Sequence, residues 1–138
     1  MNYQPINYKN LSSRQQESYN FQKVSGVLAD YGFKTILLSD DWNGTDFLAV
    51  HVDGQTILKV QLKGRFTFAK KYLRKGLHIC FRDKQDWFIY SHDELFEMVS
   101  SQERIANTKS WTEEGVYTFS IPSEKDRLAL SPYRLEQG

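Results

Sequence analysis

Asp46, Gln61 and Lys63 are three polar residues standing at the ends of two otherwise apolar runs. A carboxylate and an amide oxygen are both ligands for a hard divalent cation. Such a cation polarises a phosphoryl oxygen and lowers the pKa of a bound water. An ammonium group beside that water orients the attacking oxygen or offsets charge developing on a phosphate, and Lys suits the task as a compact point charge. A second carboxylate, Glu17, lies four residues before Phe21 and seven before Val24. It falls at the N-terminal end of the stripe that a helix there turns toward the body of the protein.

These residues can act together only if the chain brings them together. Asp53-Gly54 lies between the runs Asp46–Val52 and Gln55–Lys63, and Asp-Gly is a strong signal for a two-residue hairpin turn. In that register Val52 pairs with Gln55, and each further step keeps the residue numbers summing to 107. Asp46 then falls opposite Gln61. Directly opposed side chains share a face, with Cβ atoms about 4.5–5.5 Å apart, and the period of two places Lys63 there as well. A turn longer by one residue would break the pairing.

The flanking segments supply the frame. Ser13-Arg14-Gln15-Gln16 has the form of a capping box. Phe21, Val24, Val27, Leu28 and Tyr31 follow at helical spacing, and Gly32 suits the helix end. Phe33–Leu38 reads as a strand and residues 39–45 as a loop, in which Asp40, Asp41 and Asn43 are turn residues. Phe66–Leu73 reads as a short helix or loop. Leu77–Phe81 and Trp87–Tyr90 read as strands joined by the turn Arg82–Asp86, and Ser91 caps a helix reaching about Gln102. Val116–Ile121 reads as a further strand, and Trp111, Tyr133 and Leu135 as residues that pack back on the domain.

Gly44-Thr45-Asp46-Phe47-Leu48, followed 15 residues after Asp46 by Gln61-Leu62-Lys63, resembles the PD-(D/E)xK motif of the restriction-endonuclease-like nuclease superfamily. The resemblance covers roughly residues 13–100. It implies an α/β (α+β) fold in the order helix, three strands, helix, two strands, helix, with a central mixed sheet flanked by helices. It implies Asp46 as the first motif acid, Lys63 as the motif lysine and Glu17 as the acid of the first helix. Thr45 stands where the motif has Pro, and Gln61 where it has its second acid; this Gln variant is similar to that of a cyanobacterial intron-homing endonuclease. Gln61 keeps a ligating oxygen but removes a charge, which weakens metal binding unless another acid such as Glu17 compensates. The resemblance implies a Mg²⁺- or Mn²⁺-dependent endonuclease of restriction, homing or repair type acting on DNA, with Asp46, Gln61 and Glu17 on the metal. The alternative is a catalytically silent nucleic-acid-binding or assembly module on the same fold.

Composition sets the bounds. With 138 residues, 40% hydrophobic and 25% charged, the chain is expected to fold as a globular domain rather than remain disordered. Residues 1–12 are expected to form a flexible arm, 13–102 the nuclease-like core, and 103–138 an extension packing on the core or on a partner subunit. The net charge of +1 is unevenly spread, with 13 basic and 8 acidic residues in 1–90 against 5 and 9 in 91–138. Lys63, Arg65, Lys70, Lys71, Arg74 and Lys75 form a block without an acid. The last five are candidates for nucleic-acid contacts, against the plainer reading of a solvated face. Equally plain readings make Asp46 a turn residue, Gln61 and Lys63 the polar end of a strand, and Glu17 a first-turn acid answering the helix dipole. His51, His78 and His92 read as structural, and Cys80 as a small buried hydrophobe. There is no apolar leader and no run long enough for a membrane span, so a cytoplasmic protein is expected. A homo-oligomer, dimer or tetramer, is expected because one site cuts one strand. Zinc-finger, zincin, Gly-rich phosphate-loop and Gly-x-Ser-x-Gly patterns are missing, which removes those classes.

Overall fold

The computed structural model describes residues 2–100, 105–120 and 122–137. The expected helix end at Gln102, the strand end at Ile121 and the side chain of Asp41 lie outside the described residues. The first helix, α1, spans Ser13–Ala29 and is capped one residue earlier than the sequence suggests. Ser12 and Ser13 precede Gln15 and Gln16, so two capping boxes compete. Ser12 wins, its Oγ accepting from the Gln15 amide at 3.2 Å while the Gln15 side chain accepts from the Ser12 amide at 2.9 Å. Gln16 is thereby released to donate to the Tyr8 carbonyl at 3.2 Å. At the other end Gly32 takes φ +84°, a left-handed conformation that suits glycine at a helix terminus.

Three antiparallel strands follow: β1 (Phe33–Trp42), β2 (Thr45–His51) and β3 (Ile57–Lys63). β1 runs through most of the expected 39–45 loop, and the turn contracts to Asn43-Gly44 with φ +52° and +82°. Asn-Gly is the favoured pair where both central residues need positive φ. A Cβ on Gly44 would also lie 3.2 Å from the Tyr72 ring, so the position excludes side chains twice over.

A three-residue strand, β4 (Thr67–Ala69), and a 3-10 turn at Lys70–Tyr72 occupy the segment where a helix or loop is expected. β5 (Leu77–Asp83) then pairs in parallel with β3, and β6 (Asp86–Ser91) pairs antiparallel with β5. The β5–β6 turn is shorter than the sequence suggests: Asp83 pairs with Asp86, leaving Lys84-Gln85 at the tip and Arg82 inside the strand. α2 (His92–Ser100) carries Asp93 and Glu94 in its first turn. β7 (Val116–Thr118) pairs with β4, and α3 (Glu124–Leu130) leads to β8 (Arg134–Leu135), which pairs with β6. The main sheet has the order β1-β2-β3-β5-β6-β8. It is a central mixed sheet with helices on both faces, an α+β architecture.

Strand alternation divides the core. Leu77, Ile79, Phe81 and Tyr90 point to one face, where they pack with Phe66, Phe68, Leu95, Trp111 and Phe119. Cys80 and Trp87 point to the other, with Phe47, Ala49 and Val60, and meet Val24 and Leu28 of α1. Period two in the strands and 3.6 in α1 account for this partition. Among the described residues no helix is long and apolar enough to cross a membrane.

Candidate active site at the end of the hairpin

The β2–β3 ladder pairs Phe47 with Val60, Leu48 with Lys59, Ala49 with Leu58 and Val50 with Ile57. Each pair sums to 107, the register that places Asp46 level with Gln61. The turn itself is longer than two residues. The His51 amide donates to the Thr56 carbonyl at 2.9 Å, and Asp53 organises the loop by accepting from the amides of Gln55 and Thr56, both at 2.8 Å, and from the Thr56 hydroxyl at 2.6 Å. One residue is added on each side of the tip, so the register survives. These hydrogen bonds, those of Thr56 foremost, hold the Asp53 carboxyl well below the usual carboxylate range.

On its other side β2 meets an irregularity of β1. Leu37 pairs with Phe47 and Trp42 with Thr45, so residues 38–41 of β1 stand opposite the single β2 residue Asp46. An excess of residues on one strand bends it away from its partner. Asp46 is therefore placed where β1 bulges on one flank and the β2–β3 ladder ends on the other. Its Oδ2 accepts from the Leu62 amide at 2.8 Å, the amide lying between Gln61 and Lys63. The half-buried Gln61 amide group makes a long contact from Nε2 to the Leu62 carbonyl at 3.4 Å. The Lys63 ammonium lies 5.4 Å from the centroid of the Tyr72 ring, within cation–π range.

Asp46, Gln61, Lys63 and Glu17 all line one pocket of about 760 Å³. Glu17 reaches it from the first turns of α1 as an exposed residue at the rim. Arg14, Arg82, Tyr8 and Trp87 line the same pocket, although the sequence reads Trp87 as the start of a strand and places Arg82 in a turn. Strand parity shared with Cys80 would have directed Arg82 toward α1, had the short Lys84-Gln85 turn been recognised. The basic candidates Arg65, Lys70, Lys71, Arg74 and Lys75 are exposed and stand outside this pocket. Lys70 and Lys71 line a separate groove with Glu113 and Glu114, and the Arg74 amide donates to Asp93 at 2.9 Å.

His92, beside the helix start, is fully buried. Its Nε2 accepts from the Ala69 amide at 3.1 Å and its Nδ1 faces Asp93 at 3.0 Å. Burial lowers its pKa against the opposing pull of Asp93, and it packs in the aromatic core outside the pocket that holds Asp46. Cys80 is wholly buried and burial drives its thiol pKa up, which makes it an inert core group.

No protein-family model and no curated protein matches the chain. Among solved structures, the chain is similar to Hjc, a Holliday junction resolvase from the archaeal hyperthermophile Archaeoglobus fulgidus. The two share 11% identity over 54% of this chain and 76% of that one, with a TM-score of 0.42.

Proposed function

We propose that this chain is a divalent-metal-dependent nuclease of PD-(D/E)xK type, hydrolysing phosphodiester bonds in DNA as an endonuclease of restriction, homing or repair type. The observation that carries this reading is the convergence of Glu17, Asp46, Gln61 and Lys63 on one pocket, with Asp46 anchored on the amide between Gln61 and Lys63. Residues from α1, β2 and β3 meet there because β1 bulges and the hairpin register is held.

Among the described residues no group of three His, Cys, Asp or Glu gathers as a metal cluster. The candidate ligands among the residues lining the pocket are the carboxylates of Glu17 and Asp46 and the amide oxygen of Gln61. All are hard oxygens, and Mg²⁺ commonly takes one or two carboxylates while keeping several waters, so the set fits Mg²⁺ or Mn²⁺ with Asp46, Gln61 and Glu17 as ligands. A bound ion supplies Lewis acidity and an acidified water. Lys63 brings positive charge to the phosphate under attack. Arg65, Lys70, Lys71, Arg74 and Lys75 extend contact to the backbone of the duplex, and a cytoplasmic dimer or tetramer cuts both strands, with residues 103–138 available to the subunit contact.

Purified protein incubated with plasmid, four-way junction and single-stranded DNA in Mg²⁺ or Mn²⁺ tests this directly. Cleavage that disappears in Lys63→Ala is the expected result. Folded protein that cuts none of these substrates would sink the reading. Gln61 and the small carboxylate count favour a second reading, a silent binding or assembly module on the same fold. Calorimetric titration with Mn²⁺ separates the two: heat that vanishes in Asp46→Ala supports the enzyme, and no heat in either protein supports the module.

A further inference from the structure

Arg82 occupies a position in the pocket that neither the motif nor the metal ligands explain. It stands directly across from Trp87 in the β5–β6 ladder, and its guanidinium carbon lies 5.3 Å from the Trp87 ring and 5.9 Å from the Tyr8 ring. Both distances fall within cation–π range. Tyr8 is fixed in turn by α1, its hydroxyl accepting from Asn20 Nδ2 at 2.9 Å and its carbonyl from Gln16 at 3.2 Å.

Two rings therefore hold the half-buried guanidinium in place, yet among the described residues no carboxylate forms an ion pair with it. Arg134, on the neighbouring strand, differs in this respect, lying 3.7 Å from Asp86. An arginine kept only for the fold would be expected to meet an acid or to extend into water. Ring contacts engage the faces of the guanidinium and leave its in-plane N–H groups for a planar or tetrahedral oxyanion. Arg14 and Lys63 line the same pocket, so an anion entering it meets three cations against Glu17 and Asp46.

We infer that Arg82, clamped by Tyr8 and Trp87, is a phosphate-binding residue that grips the nucleic-acid backbone beside the phosphodiester held at Asp46 and Lys63. This rests on reading the pocket as a phosphodiester site. Its role is positioning: the clamp fixes the guanidinium before the strand arrives, which reduces the ordering cost of binding.

Fluorescence anisotropy with a labelled DNA duplex in EDTA, across a salt series, tests the inference without requiring cleavage. Arg82→Ala should weaken binding about tenfold and lower the slope of log K against log salt by about 1, the signature of one lost phosphate contact. Arg82→Lys should recover the slope but not the affinity. Tyr8→Leu removes one ring from the clamp without entering the core and should weaken binding about threefold, which keeps the test decisive should Arg82→Ala misfold. Unchanged affinity and salt slope in folded Arg82→Ala, or no DNA binding by the wild-type protein, overturns the inference. Wild-type protein that cuts nothing but loses binding in Arg82→Ala leaves the phosphate site standing and removes the nuclease reading. Efficient cleavage with normal binding by Arg82→Ala does the reverse.

Discussion

The two faces of the sheet are built differently. Against α2 and the later segments lies a closed aromatic core: Phe66 stacks on Phe119 at 4.2 Å and meets Tyr90 edge-on at 5.4 Å, and Phe68 meets Phe96 at 5.3 Å. Even its polar groups are satisfied internally, with Tyr90 donating to the Thr67 carbonyl at 2.6 Å. Against α1 lies a smaller aliphatic core that gives way, at the end of the hairpin, to a polar pocket lined by charged side chains of both signs. One face supplies cohesion. The other gives up part of its packing to an open polar pocket. A change on the first face should therefore be read in stability and a change on the second in chemistry.

The largest expected effect breaks the closed face. Phe68 is fully buried among five rings, and Phe68→Ala should cost about 3–5 kcal/mol, the range for truncating a core aromatic. Denaturant unfolding measures it, and a loss below about 1 kcal/mol would show that the aromatic face is not where stability resides. Next comes the open face. Lys63→Ala should lower the rate of DNA cleavage by about 10²–10³-fold, the usual cost of removing one preorganised electrostatic group, while the melting temperature stays near that of the wild type. A large fall in melting temperature would place Lys63 with the structural residues and erase the contrast.

The smallest effect sharpens the comparison through pH. Because His92 Nε2 accepts the Ala69 amide proton, protonating the ring destroys that bond. Burial lowers the pKa of His92, and also that of His78, below the ordinary histidine value of 6.5. The unfolded chain then binds the proton first, so stability is complete above about pH 6.5 and declines as pH falls from there toward the lower folded values. Denaturant midpoints at pH 7.5 and 5.5 should show a modest decrease on acidification. A midpoint that rises would overturn the assignment of His92 as a neutral acceptor.

What could be read from the sequence was whatever is local or periodic. The helix that became α1 was announced by its cap and stripe, with the cap displaced by one residue because serine and glutamine are each doubled. The hairpin register followed from Asp53-Gly54, and it held although the turn is longer, since the loop gained one residue on each side. Asn43-Gly44 carried an equally strong turn signal, yet the adjacent aspartates made the whole segment look like loop. β4 was hidden because a three-residue strand pairs with a partner some fifty residues on, and no local pattern announces that. Arg82 stayed out of the expected site because residues 82–86 read as one turn, which hid its strand parity; its ring partner Tyr8 reaches it only through the tertiary fold.

The position of β8 has a consequence for how the protein is made. Leu135 belongs to the same cluster as Val24, Phe47 and Val60, and the Glu136 amide donates to the Tyr31 hydroxyl at the far end of α1. During synthesis the α1 side of the sheet thus stays open until the chain has emerged past residue 136, long after the hairpin beneath it has formed. For that interval the nascent chain presents an incomplete hydrophobic surface of the kind that chaperones engage. The face that carries the pocket is the last to be sealed.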